Sequence, residues 1–139
     1  MRANDKHAAN NRRQNTARKL ETATPNGGLF AALDLGTNSC RMLIARPSGN
    51  EFEVVDAFSK PVHLGAGLAE YGTLAPAAIK RTLGALRICS KKLRQHGVQH
   101  SRLVATEACR RARNGSSFVN LVKRETGLNL EIIEPAEEA

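Results

Sequence analysis

Between Leu29 and Val55 the chain holds three apolar runs separated only by short polar breaks, and that spacing leaves few folds open. The first run, LFAALDL (29–35), ends on Asp34 and Leu35 and gives way to GTNS. It is suited to a buried strand. Two further runs lie on either side of PSGN (47–50), four turn-prone residues that signal a hairpin. Glu51, Phe52, Glu53 and Val54 alternate polar and apolar, as a half-buried strand does. Three consecutive strands joined by tight turns are expected.

The remainder is longer-period. After a loop punctuated by Gly65, Gly67 and Gly72, Pro76 suits the first turn of a helix running to about His96, with Gly97 as its stop. The loop superficially resembles a dinucleotide fingerprint but lacks a strand-turn-helix unit around it. Ile79, Leu83, Leu86 and Leu93 share one face of the helix. Lys80, Arg81, Arg87, Lys91, Lys92 and Arg94 lie opposite, with no acid in residues 76–96. That face is either plainly solvated or a track for a polyanion. SRLVATEA begins a fourth strand, CRRARNGS is a polar stretch, and Phe118, Leu121 and Val122 mark a second helix over 116–126 that Gly127 ends. LNLEIIE alternates as a fifth strand, and the chain closes with Pro135 and AEEA, the opening of a third helix. The order βββαβαβ predicts an α/β domain with a mixed five-stranded sheet over residues 29–139. An element begun in the last residues predicts the N-terminal part of a longer protein.

Composition narrows the partners. Aromatics are 4% of the 139 residues and there is no Trp, so a base-stacking platform is not expected. The net charge is +8, which favours polyanionic partners. Half of that charge sits in residues 1–28, where Arg2, Lys6, Arg12, Arg13, Arg18 and Lys19 face only Asp5 and Glu21. This Asn-, Ala- and Thr-rich segment is expected to be a disordered basic tail, either a solubilising leader or a nucleic-acid-binding arm. Cys40, Cys89 and Cys109 lack metal-ligand spacing and predict reduced, buried thiols of a cytoplasmic protein. No apolar run approaches the roughly 20 residues that span a bilayer.

Asp34 and the residues after it carry the chemistry. Gly36 is free to take a positive φ and offer backbone N–H groups to an anion, while Thr37, Asn38 and Ser39 add neutral donors for phosphate oxygens. Asp34 would repel a bare phosphate but suits one bridged by Mg²⁺, which favours one or two carboxylates plus substrate phosphate. The structural alternative is a tight hairpin turn with Asp34 bonded to local backbone.

FAALDLGTNSCRMLIA resembles the first phosphate loop of the exopolyphosphatase and guanosine pentaphosphate phosphohydrolase family, within the actin, sugar kinase and Hsp70 superfamily. PVHLGAGL (61–68), VATEACRRARN (104–114) and LEIIEPAEEA (130–139) are similar to later segments of that family, in order and spacing. The resemblance implies a ribonuclease-H-like fold, the first of two such domains. It implies Glu138 as the general base, Arg110 facing the phosphoryl groups, Asp34 on the metal side, and Gly36, Thr37, Asn38 and Ser39 as the cradle. Pro135 and Ala136 stand where the family often has Ser-Gly, and proline fixes φ there.

The same resemblance implies hydrolysis of terminal phosphoanhydride bonds in inorganic polyphosphate or guanosine pentaphosphate, with Mg²⁺, by a cytoplasmic protein that is a homodimer at full length. The family's second phosphate loop would fall after residue 139, so the chain alone is expected to show little or no turnover. Three alternatives remain: a superfamily kinase using ATP, a nucleic-acid-binding module built on the basic tail and helix, and a domain that binds the guanosine alarmone without hydrolysis.

Overall fold

The computed structural model describes residues 28–138, with side chains through Ala136. The basic tail expected over residues 1–28 therefore lies, but for Gly28, outside the described residues. Strands β1 (Phe30–Leu35), β2 (Ser39–Ser48) and β3 (Glu51–Pro61) come first. A single helical turn α1 (Leu68–Tyr71) and the long helix α2 (Pro76–Gln95) follow. Strand β4 (His100–Ala105), helices α3 (Glu107–Arg111) and α4 (Gly115–Thr126), strand β5 (Glu131–Ile132) and helix α5 (Pro135–Glu138) complete the order.

The strands form one sheet in the order β3-β2-β1-β4-β5. The first three are antiparallel neighbours, whereas β4 runs parallel to β1 and β5 parallel to β4. Leu35 lies opposite both Cys40 and Ala105, and Ala105 opposite Ile132. Strands β1, β4 and β5 thus end along the same edge, which is where β2 begins. Parallel strands need a crossover, and α2 supplies it between β1–β3 and β4.

Alternation along the strands decides which face is covered. Ala31, Leu33 and Leu35 pair with Ile44, Met42 and Cys40, and all six belong to the main core with Leu83, Leu86, Phe118 and Val122 of the helices. Burying such a side chain fully contributes about 1.5–3 kcal/mol. That matters most for α4, since an isolated 12-residue helix is marginal in water. Its buried Phe118 and Val122 hold it in place, and Gly127 at φ 78 ends it by donating to Lys123 O. The opposite sheet face carries a smaller cluster of Phe30 and Ala45 with Ala32 and Phe52.

The α/β class and the mixed five-stranded sheet match expectation. Three details differ. CRRARNGS includes the end of α3, whose five residues are too few to show an apolar period. The glycine-rich loop holds α1, one turn flanked by Gly67 (φ 79) and Gly72 (φ 72). Strand β5 is shorter than its alternating pattern: Leu128, Leu130 and Ile133 are buried, but only Glu131 and Ile132 form the ladder. No helix among the described residues is long and apolar enough to cross a membrane.

Candidate functional site

The β1–β2 turn is a tight one. Gly36 N donates to Ser39 O at 3.0 Å, so two residues, Thr37 and Asn38, reverse the chain. This corrects the expectation for Gly36. It is not among the glycines with positive φ, and its N–H closes the turn instead of facing an anion.

Asp34, Gly36, Asn38, Ser39 and Arg41 line one open depression of about 200 Å³ at this edge. Four of the five expected loop and metal-side residues are thereby brought together. Thr37 is the exception: its methyl group lies against Gly65, where a Cβ would overlap Thr37 Cγ2. Arg41 was not anticipated, although the hairpin register carries the signal. Two residues of turn put Asp34 and Arg41 opposite each other, hence on the same sheet face. Arg41 is exposed and Asp34 half-buried, with its Oδ1 atom shielded from solvent.

The chain beyond β3 backs the turn. Val62 N and His63 N both donate to Asn38 O, at 2.8 and 3.0 Å, and Gly65 N donates to Thr37 O at 3.0 Å. On the other side, Thr106 N donates to Leu35 O at 3.1 Å, tying the end of β4 to the end of β1.

Arg110 lies on α3 at the same edge. Its Nη1 donates to Ile133 O at 2.6 Å, which fastens the guanidinium to the strand that leads into α5. Arg110 does not line the depression around Asp34. Helix α5 takes in Glu138, but the Glu138 side chain lies outside the described residues, as does its distance from Asp34.

The basic face of α2 is largely engaged within the chain. Arg81 reaches main-chain carbonyls, Arg87 pairs with Glu125, Lys92 with Asp56, and Arg94 donates to Ser90 Oγ. Lys80 and Lys91 are exposed.

All three cysteines are free and buried. Hydrogen bonding to Cys89, together with burial, raises the Cys40 thiol, and burial pushes Cys109 up to about 12, so both are neutral near pH 7. Among the described residues no group of three or more His, Cys, Asp or Glu could hold a metal by itself. A site of one carboxylate completed by phosphate oxygens and water needs no such cluster, and Asp34 beside Asn38 and Ser39 fits a Mg²⁺ held that way.

A model of the Ppx/GppA phosphatase family matches residues 43–139. The guanosine-5'-triphosphate,3'-diphosphate pyrophosphatase of Aliivibrio fischeri is 33% identical over 121 residues, covering 87% of this chain and 24% of that protein. Its namesake from Aeromonas hydrophila is 35% identical over 114 residues, covering 82% and 23%. The crystal structure of the Aquifex aeolicus family member superposes with a TM-score of 0.77 at 32% identity, covering 80% of this chain and 36% of that one. An exopolyphosphatase from Cytophaga hutchinsonii superposes with a TM-score of 0.75 at 26% identity, covering 78% and 35%. The chain spans about a quarter of the length of the curated relatives it matches.

Proposed function

Since the chain belongs to the Ppx/GppA phosphatase family, we propose that it supplies the first phosphate-binding lobe of a hydrolase for terminal phosphoanhydride bonds. The substrate class is guanosine pentaphosphate or inorganic polyphosphate, which present the same triphosphate-like end. One observation carries the proposal: Asp34, Gly36, Asn38, Ser39 and Arg41 line a single depression at the ends of the parallel strands. That is the edge at which open α/β sheets bind ligands.

Each residue has a distinct task in this proposal. Asn38 and Ser39 donate to phosphate oxygens without adding charge. Arg41 offers a guanidinium fork to the same oxygens, and Arg110, outside the depression at the same edge, would meet the phosphoryl group from α3 with the N–H groups not given to Ile133 O. Asp34 holds a Mg²⁺ that neutralises phosphate charge when bound. Glu138 accepts a proton from water as the water oxygen bonds to the terminal phosphorus. The bridging P–O bond breaks, and the leaving phosphate takes the electron pair. Positioned general-base catalysis of this kind is worth about 10²–10⁴ in rate. Three buried free cysteines suit the reducing cytoplasm, where we place the protein, as a homodimer at full length.

The test is phosphate release by the full-length protein on each substrate separately, comparing wild type, Glu138→Gln and Asp34→Asn. Glu138→Gln is expected to lower kcat by about 10² or more with KM little changed. Turnover equal to wild type in that variant would remove Glu138 from its role.

A further inference from the structure

Residues 62–65 hold the β1–β2 turn through three N–H donors, and one side chain in turn holds them. His63 stands at φ 47, in the left-handed region that a residue with a Cβ adopts only where its surroundings impose it. Arg81, early in α2, closes on this segment. Its Nε donates to Val62 O at 3.0 Å and its Nη2 to His63 O at 3.2 Å. The guanidinium presents both N–H groups in a rigid plane, so it fixes two successive carbonyls at once. His63 O also accepts Ala66 N at 3.1 Å, which leaves the strained residue bonded on both sides.

The consequence for the turn follows from peptide geometry. No described peptide is cis, so each carbonyl points opposite to the N–H of the next residue. The Thr37 carbonyl, aimed at Gly65, turns the Asn38 N–H away from residues 62–65. The Asn38 carbonyl, aimed at Val62 and His63, does the same for the Ser39 N–H. Asn38 and Ser39 are lining residues of the depression. Releasing residues 62–65 would free both peptide planes to rotate.

We propose that Arg81 is a positioning residue for the phosphate cradle: its grip on the Val62 and His63 carbonyls keeps the Asn38 and Ser39 N–H groups directed at bound phosphate. The inference rests on the phosphate-binding role proposed for residues 34–41 and adds a residue that touches no substrate. Lysine cannot replace it fully, because an ammonium is a point donor without the two-pronged plane.

NMR on the chain tests this, using wild type, Arg81→Gln and Arg81→Lys with and without magnesium tripolyphosphate. In Arg81→Gln the Val62, His63 and Gly65 amides should exchange about tenfold faster at an unchanged unfolding midpoint. Tripolyphosphate affinity, followed at the Asn38 and Ser39 amides, should fall about tenfold. Arg81→Lys should lose less, and it carries the test if Arg81→Gln does not fold. Unchanged exchange, or faster exchange with unchanged affinity, overturns the positioning role while the wild-type amides still respond to the anion. If the wild-type Gly36–Ser39 amides do not respond at all, the phosphate-binding proposal itself falls, and this inference with it.

Discussion

Where β1 ends, neighbouring segments are joined chiefly through main-chain groups, with Arg81 and Arg110 adding donors to carbonyls: Asn38 O takes two N–H donors, Thr37 O a third, and Leu35 O accepts from Thr106. Toward the last turn of α2, the joining groups are charged side chains. Lys92 Nζ and His96 Nε2 both meet Asp56 Oδ2, at 2.9 and 3.0 Å, next to the bulge where Val55 is left out of the β2–β3 register. Main-chain bonds persist at any pH at which the chain is folded and depend on close approach of backbones. Ionic contacts depend on protonation and weaken with salt. The proposed binding edge should therefore be sensitive to added volume, and the far end to pH.

Gly115 gives the largest expected effect. It opens α4, and a Cβ there would overlap the carbonyl of Cys109, an atom that cannot move without shifting α3. Gly115→Ala should cost about 3 kcal/mol in urea unfolding, at the upper end of overpacking effects. A cost under about 1 kcal/mol would mean that α3 yields easily and that this edge is softer than its bonding suggests.

A matched pair of substitutions sharpens the contrast. At Gly65 a Cβ would overlap Thr37 Cγ2, a side-chain methyl that can swing aside in part, so Gly65→Ala should destabilise by about 1–2 kcal/mol. At Gly84, inside α2, nothing lies within 4 Å of the added Cβ, and Gly84→Ala should stabilise by about 0.5–1 kcal/mol through helix propensity. The same methyl group is added in both. Effects of the same sign in thermal unfolding would show that crowding does not distinguish the two places.

These positions also show what the sequence could and could not reveal. Strands β1 to β3 were legible because period-two alternation and turn residues act over a few positions. Asp34, Asn38 and Ser39 were legible as a group for the same reason: they sit in one turn. The support from residues 62–65 was not, because its bonds join backbone atoms more than twenty positions apart and leave no side-chain signature beyond Gly65. Arg41 was recoverable from register alone and was overlooked. The basic face of α2 is solvated, as one of its two expected readings has it, with all six basic residues but Lys92 exposed. Periodicity marks which side of a helix a residue occupies, but not that Arg81, Arg87 and Lys92 bend onto partners in the same chain.

The smallest effect belongs to the far end. Hydrogen bonds from Lys92 and then His96 hold the Asp56 carboxyl below its ordinary value. A carboxylate whose folded pKa is lowered contributes stability that is fully present above the unfolded value, about 3.9, and is lost as pH falls through the folded one. Asp56→Asn should thus lower the unfolding midpoint at pH 6–7 and lower it progressively less as pH falls below the unfolded value. With about a quarter of its side chain exposed, the pair is worth no more than about 1 kcal/mol. The difference should shrink further in high salt, whereas the Gly65→Ala penalty should not. Equal salt and pH dependence for the two variants would erase the distinction between the ends.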